Sequence, residues 1–128
     1  MTTVITVCDT CRRDGWETTD STRADGEVLL EILGEPRQRT PRPGVAVRRM
    51  SCLMGCSHAC NVAIQARGKF CYTLGRFEPE SEAATAIVDY AALHALSGAG
   101  LVPFRQRPQG GVGHVVTRHP PLPEDPQT

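Results

Sequence analysis

Five of the six cysteines fall into two tight groups, and this grouping limits what the chain can become. Cys8 and Cys11 form a C-x2-C pair at the end of the apolar run Val4-Ile5-Thr6-Val7. Cys52, Cys56 and Cys60 form C-x3-C-x3-C, and Cys71 stands apart. Both groups follow a short strand-like stretch that gives way to a loop. A sheet that set those two strand ends side by side would gather the thiols at one place. A gathered thiol set can serve a metal ion, an iron–sulfur cluster or a redox switch.

Disulfide staples are the competing use, and the compartment decides between them. The start, MTTVITVCDTC, lacks the charged beginning and long apolar stretch of a secretory signal. No window approaches the roughly 18 apolar residues of a membrane span. The expectation is a cytoplasmic protein whose thiols stay reduced, so grouped cysteines read as ligands or redox centres. The 14 basic and 14 acidic residues cancel, which gives no reason to expect a nucleic-acid or membrane partner.

A length of 128 residues suits one small domain. Residues 3–8 are β-branched and read as a strand, and residues 9–25 as a polar loop. Val28, Leu29, Leu30, Ile32 and Leu33 have helical spacing, and Gly34 and Pro36 are expected to end that helix. Residues 36–43, with three prolines and three arginines, read as a loop. Residues 45–50 read as a strand leading to Cys52. Residues 62–66 and 70–74 read as a hairpin turning at Arg67-Gly68-Lys69. A second helix opens on Pro79-Glu80-Ser81-Glu82 and stops at Ser97-Gly98-Ala99-Gly100. Its expected buried face is Ala83, Ile87, Tyr90, Ala91, Leu93, His94 and Leu96. Residues 112–118 suit a short edge strand, and HPPLPEDPQT a mobile tail. The fold class is α/β: a mixed sheet, two main helices and a cysteine-bearing loop. Residues 1–104 are expected to form the domain, and residues 105–128 a Pro-rich, partly ordered extension.

A [2Fe-2S] cluster takes four cysteine thiolates. Cys8 and Cys11 could hold one iron, and Cys52 and Cys56 the other. The 40 residues between Cys11 and Cys52 exceed the usual ligand spacing of a zinc ribbon. Cys60 could be an exchangeable fifth ligand or replace Cys11. His58 is a candidate nitrogen ligand or hydrogen-bond donor behind the ligands. Cys71, on an apolar strand, reads as core. His94 reads as helix surface or core, and His114 and His119 as solvated.

Arg37, Arg39, Arg42, Arg48 and Arg49 put a local charge of +5 into residues 37–49, with no acid among them. That stretch is a solvated loop or a docking patch for an acidic redox partner or a carboxylate-bearing cofactor. No nucleophile–base–orienter set stands out, so the chain is not expected to turn over a substrate.

Together, CDTCR, CLMGCSHACNVAIQARGKFCYTLGRF, the acidic second helix and the late RP…VVTRHPP segment resemble the small bacterial "predicted metal-binding" proteins, a domain of unknown function. The resemblance covers residues 4–121. Phe70 and Tyr72 stand where that family's aromatic pair looks like Trp-x-Tyr, which marks Cys71 between them as incidental. The family in turn is similar to the thioredoxin-like [2Fe-2S] ferredoxins, which implies a thioredoxin-like sheet. On that likeness Cys52 and Cys56 match the second ligand pair and Cys8 the first. The second cysteine of the ferredoxins lies ten or more residues beyond the first, whereas Cys11 follows at once. Cys11 and Cys60 therefore compete for the fourth place. The resemblance also implies a possible homodimer and a link to cobalamin or cobalt metabolism.

Three functions follow as expectations. The first is a small [2Fe-2S] ferredoxin-like electron carrier. The second is a zinc- or cobalt-binding delivery protein using the same cysteines. The third is a thiol–disulfide protein using Cys8 and Cys11. It ranks last because such motifs sit at a helix start, where the dipole favours thiolate.

Overall fold

The computed structural model describes residues 2–8, 25–39, 44–51, 53, 60–77, 80–103 and 114–122, the side chains of residues 25 and 35–39 excepted. Runs rich in β-branched residues make β1 (Thr3–Cys8) and the start of β2 (Val45–Met50), which pair in parallel. Between them lies α1 (Asp25–Arg39), the crossover that a parallel pair requires. β3 (Val62–Gln65) returns antiparallel beside β1, and β4 (Cys71–Leu74) pairs with β3 as a hairpin. The amide of Lys69 donates to the Ala66 carbonyl at 3.3 Å, and Gly68 supplies the φ of 71° at the third turn position. α2 (Ser81–Leu96) follows, and β5 (Val115–His119) closes the far edge beside β4. The strand order is β2-β1-β3-β4-β5. β5 lies within the expected extension, so part of residues 105–128 belongs to the sheet.

Strand alternation divides the side chains into two faces. Ile5, Val7, Val62, Ile64, Tyr72 and Leu74 point to one face and are buried with Leu29 and Leu33 of α1 and Ala84, Ile87, Val88 and Ala91 of α2. Both helices therefore cover the same face. Each fully buried aliphatic side chain contributes roughly 1.5–3 kcal/mol. Val4, Thr6, Cys8, Arg48, Gln65 and Cys71 belong to the other face.

Three expectations about the helices need correction. α1 continues through Gly34 and Pro36 to Arg39. Gly34 takes no left-handed φ, and a proline's fixed φ is itself helical, so one lost amide donor did not end the helix. On α2, Leu96 is 85% exposed, because two residues on from buried His94 it lies about 200° round the helix, on the opposite face. Ala83 and Leu93 are only half-buried, while Ala84, Ala86 and Val88 are buried.

His94 is a core residue. Its Nε2 lies 2.6 Å from the Phe70 carbonyl and its Nδ1 2.8 Å from the Thr3 hydroxyl. A carbonyl only accepts, so Nε2 carries the proton and the Thr3 hydroxyl donates to Nδ1. Burial lowers the His94 pKa; the Phe70 hydrogen bond opposes that, and the nearby Lys69 charge adds to it. Buried Lys69 donates through Nζ to the carbonyls of His94 at 3.2 Å and Ala95 at 2.9 Å, closing the C-terminus of α2. Gly100 (φ 76°) packs against both residues. His114 is also corrected: its ring stacks on Phe77 at 4.3 Å and its Nδ1 donates to the Gly75 carbonyl at 2.8 Å. His119 ends β5, exposed, with its Nε2 3.1 Å from the Thr117 hydroxyl.

Candidate metal centre

β1 and β2 run the same way, and Cys8 stands opposite Met50 in their register. The two strands that lead to the cysteine groups therefore finish side by side. β3 starts from the same end, and the Cys8 amide donates to the Asn61 carbonyl at 3.2 Å. Cys8 is 1% exposed and packs against Leu53, the residue after Cys52 in the sequence. This contact joins the C-x2-C group to the C-x3-C segment, which are far apart along the chain.

Cys60 occupies a different setting. It is fully buried within the main core under the helices. Its backbone exchanges two hydrogen bonds with Phe77, at 3.3 and 3.4 Å. From the register Val62–Leu74, regular counting would set Cys60 opposite Arg76; the pairing to Phe77 means one extra residue on that strand. Arg76 absorbs it with a left-handed φ of 64°. Such bulges re-aim side chains, and this one turns Phe77 into the core. Neither the bulge nor the Leu53 contact has a local sequence signal.

Cys11, Cys52, Cys56 and His58 lie outside the described residues, as does Arg42. Arg37 and Arg39 fall in α1. Among the described residues no three His, Cys, Asp or Glu side chains converge on one point. Of the expected ligands, Cys8 and Cys60 are described. Cys71 is half-buried rather than core, because its strand turns it to the face away from the helices. Arg48 lies on that same face: its Nε donates to the Thr6 hydroxyl at 2.7 Å and its guanidinium to Gln65 Oε1 at 3.2 Å. Met50, at the rim beside Cys8, is 45% exposed. Among the described residues, no helix is long and apolar enough to cross a membrane.

A mixed five-stranded sheet in the order β2-β1-β3-β4-β5, with two helices on one face, is a thioredoxin-like fold. The fold is similar to that of a solved structure described as a thioredoxin-like [2Fe-2S] ferredoxin from Aquifex aeolicus, with a TM-score of 0.57, 17% identity and 94% of each chain covered. Over residues 5–121 the sequence matches the family described as "Protein of unknown function (DUF1636)", and the chain belongs to that family. No curated protein sequence matches it.

Proposed function

We propose that the chain is an electron carrier whose cysteine end holds a [2Fe-2S] cluster through Cys8, Cys11, Cys52 and Cys56. The packing of Leu53 against Cys8 carries this reading, since it brings the two cysteine-bearing segments together. The donor set fits: four thiolates are what such a cluster takes, and a bound cluster would supply one-electron chemistry. The Asn61 carbonyl fixes the backbone of Cys8, and Leu53 shields its side chain from water. For the fourth place we favour Cys11 over Cys60, because the Cys60 side chain is committed to the core under the helices. The thiol–disulfide reading has less support. α1 begins at Asp25, well beyond Cys11, so the C-x2-C pair does not open it.

We further propose an acidic redox partner that docks near Arg49 and the exposed rim at Met50. Arg49→Glu should slow electron exchange in a salt-dependent way, and an unchanged rate would remove that patch. Service to cobalamin or cobalt metabolism is a proposal resting on the family resemblance. Cluster-loaded protein that exchanges electrons with no enzyme of that chemistry would discard it.

The deciding experiment is visible absorption with iron and acid-labile sulfide analysis on protein purified without air. About two iron and two sulfide per chain are expected. Stoichiometric zinc or cobalt with no acid-labile sulfide would replace this reading with metal delivery through the same thiols.

A further inference from the structure

The sheet face away from the helices carries a cavity of about 480 Å³ that none of the cysteine chemistry uses. Its lining includes Val4, Arg48, Gln65, Ala66, Arg67 and Cys71. Val4 lies four residues before Cys8 on β1, which places the cavity roughly 13 Å from the cysteine end. Its size falls within the range of small-molecule sites.

Among the described residues, the lining is rich in donors and contains no acid. The Arg48 guanidinium has five N–H groups. One goes to the buried Thr6 hydroxyl and one to Gln65 Oε1. Both acceptors are neutral, so they orient the guanidinium without cancelling its charge. Arginine only donates, which turns the oxygen of Gln65 towards Arg48 and leaves its amide nitrogen as a further donor. Arg67, in the hairpin turn, adds a second positive charge to the lining. Val4 and Ala66 supply an apolar wall between these polar groups.

We propose that this cavity binds a small organic carboxylate, its charged group held by Arg48 and Arg67 and its short carbon stem lying on Val4 and Ala66. Planar guanidinium matches carboxylate in two parallel hydrogen bonds, and its fixed orientation reduces the ordering cost of binding. The half-buried Cys71 thiol lies in the same lining and reports on occupancy. The site stands whether or not the cysteine end holds a cluster.

Cys71 makes the test direct. The full-length protein is treated with iodoacetate, which carries a carboxylate, or with neutral iodoacetamide; in both, the thiolate sulfur displaces iodide. Modification of Cys71 alone is followed by peptide mass spectrometry. The iodoacetate-to-iodoacetamide rate ratio at Cys71 should exceed that of the urea-unfolded chain by roughly tenfold, equivalent to one charge-assisted hydrogen bond. Butyrate should slow both reagents at Cys71 in the folded protein and leave the urea-unfolded chain unaffected. Arg48→Gln should return the ratio to the unfolded value, and Arg67→Gln, at an exposed turn, should lower it without affecting folding. A native ratio equal to the unfolded one, or a Cys71 inert to both reagents, overturns the proposal. Protection by inorganic phosphate but not by butyrate also overturns it, because the apolar wall would then play no part.

Discussion

The Cys8 amide donates to the Asn61 carbonyl at 3.2 Å, tying the first cysteine of the chain to the residue that follows Cys60. With Cys8 opposite Met50 on its other side, the end of β1 is held between the two strands that flank the second cysteine group. On this arrangement, substitution of any true ligand removes the cluster as a whole. Cys8→Ser, Cys52→Ser and Cys56→Ser should each lose iron and sulfide, while Cys71→Ser keeps both. Metal analysis of the four variants checks this, and retention by Cys8→Ser would sink the assignment.

Cys60 separates packing from ligation. Within the core, Cys60→Ala should cost roughly 1 kcal/mol and leave iron content unchanged. Cys11→Ser should do the reverse, lowering iron with little change in stability. Denaturation midpoints and iron content of the two variants decide between them, and a swap of these outcomes would make Cys60 the fourth ligand.

His94 makes stability depend on pH. Its pKa in the fold lies below the ordinary 6.5, so the unfolded chain binds more protons as the medium acidifies. The contribution is complete above pH 6.5 and is lost as pH falls towards the lowered value. Urea midpoints measured from pH 8 down to 5 should decline below that point in the native protein. Because Leu cannot be protonated, His94→Leu should be less stable at pH 8 and lack that decline. An equal decline in the variant would place the titration elsewhere.

Lys69 and Gly100 guard the end of α2. Lys69→Met deprives the carbonyls of His94 and Ala95 of their shared donor and should cost about 1–3 kcal/mol. A Cβ on Gly100 would come within 2.6 Å of Lys69 Cβ and 2.8 Å of His94 Nε2, at a φ of 76°. Gly100→Ala should therefore destabilise more than Gly68→Ala, where φ is 71° but the added carbon meets nothing within 4 Å. Thermal unfolding of the pair tests this, since equal losses would mean that strain alone matters.

Much of the fold could be read locally. A β-branched run marks β1, and Arg67-Gly68-Lys69 marks the hairpin, because a turn with left-handed φ calls for glycine. The acidic start and the Ser-Gly stop of the second helix are local signals too, and α2 spans Ser81–Leu96 between them. The end of α1 is not legible locally, because Gly34 and Pro36 are stop signals only when nothing else holds the helix, and here Leu29 and Leu33 anchor it to the core. The buried position of His94 is legible from helical spacing, but its hydrogen-bond partners, and the packing of His114, are not. Their partners Thr3, Phe70, Gly75 and Phe77 lie in other elements, and no local pattern announces them.

The sequence by itself determined that two strands each lead into a cysteine group, since strand propensity and residue spacing act over a few neighbours. Only the tertiary structure decided that those strands are adjacent and parallel, that Leu53 meets Cys8, and that Cys60 and Cys71 go to different surroundings. Those outcomes depend on sheet order and on which face the helices cover, and both are set by contacts between residues far apart in the chain.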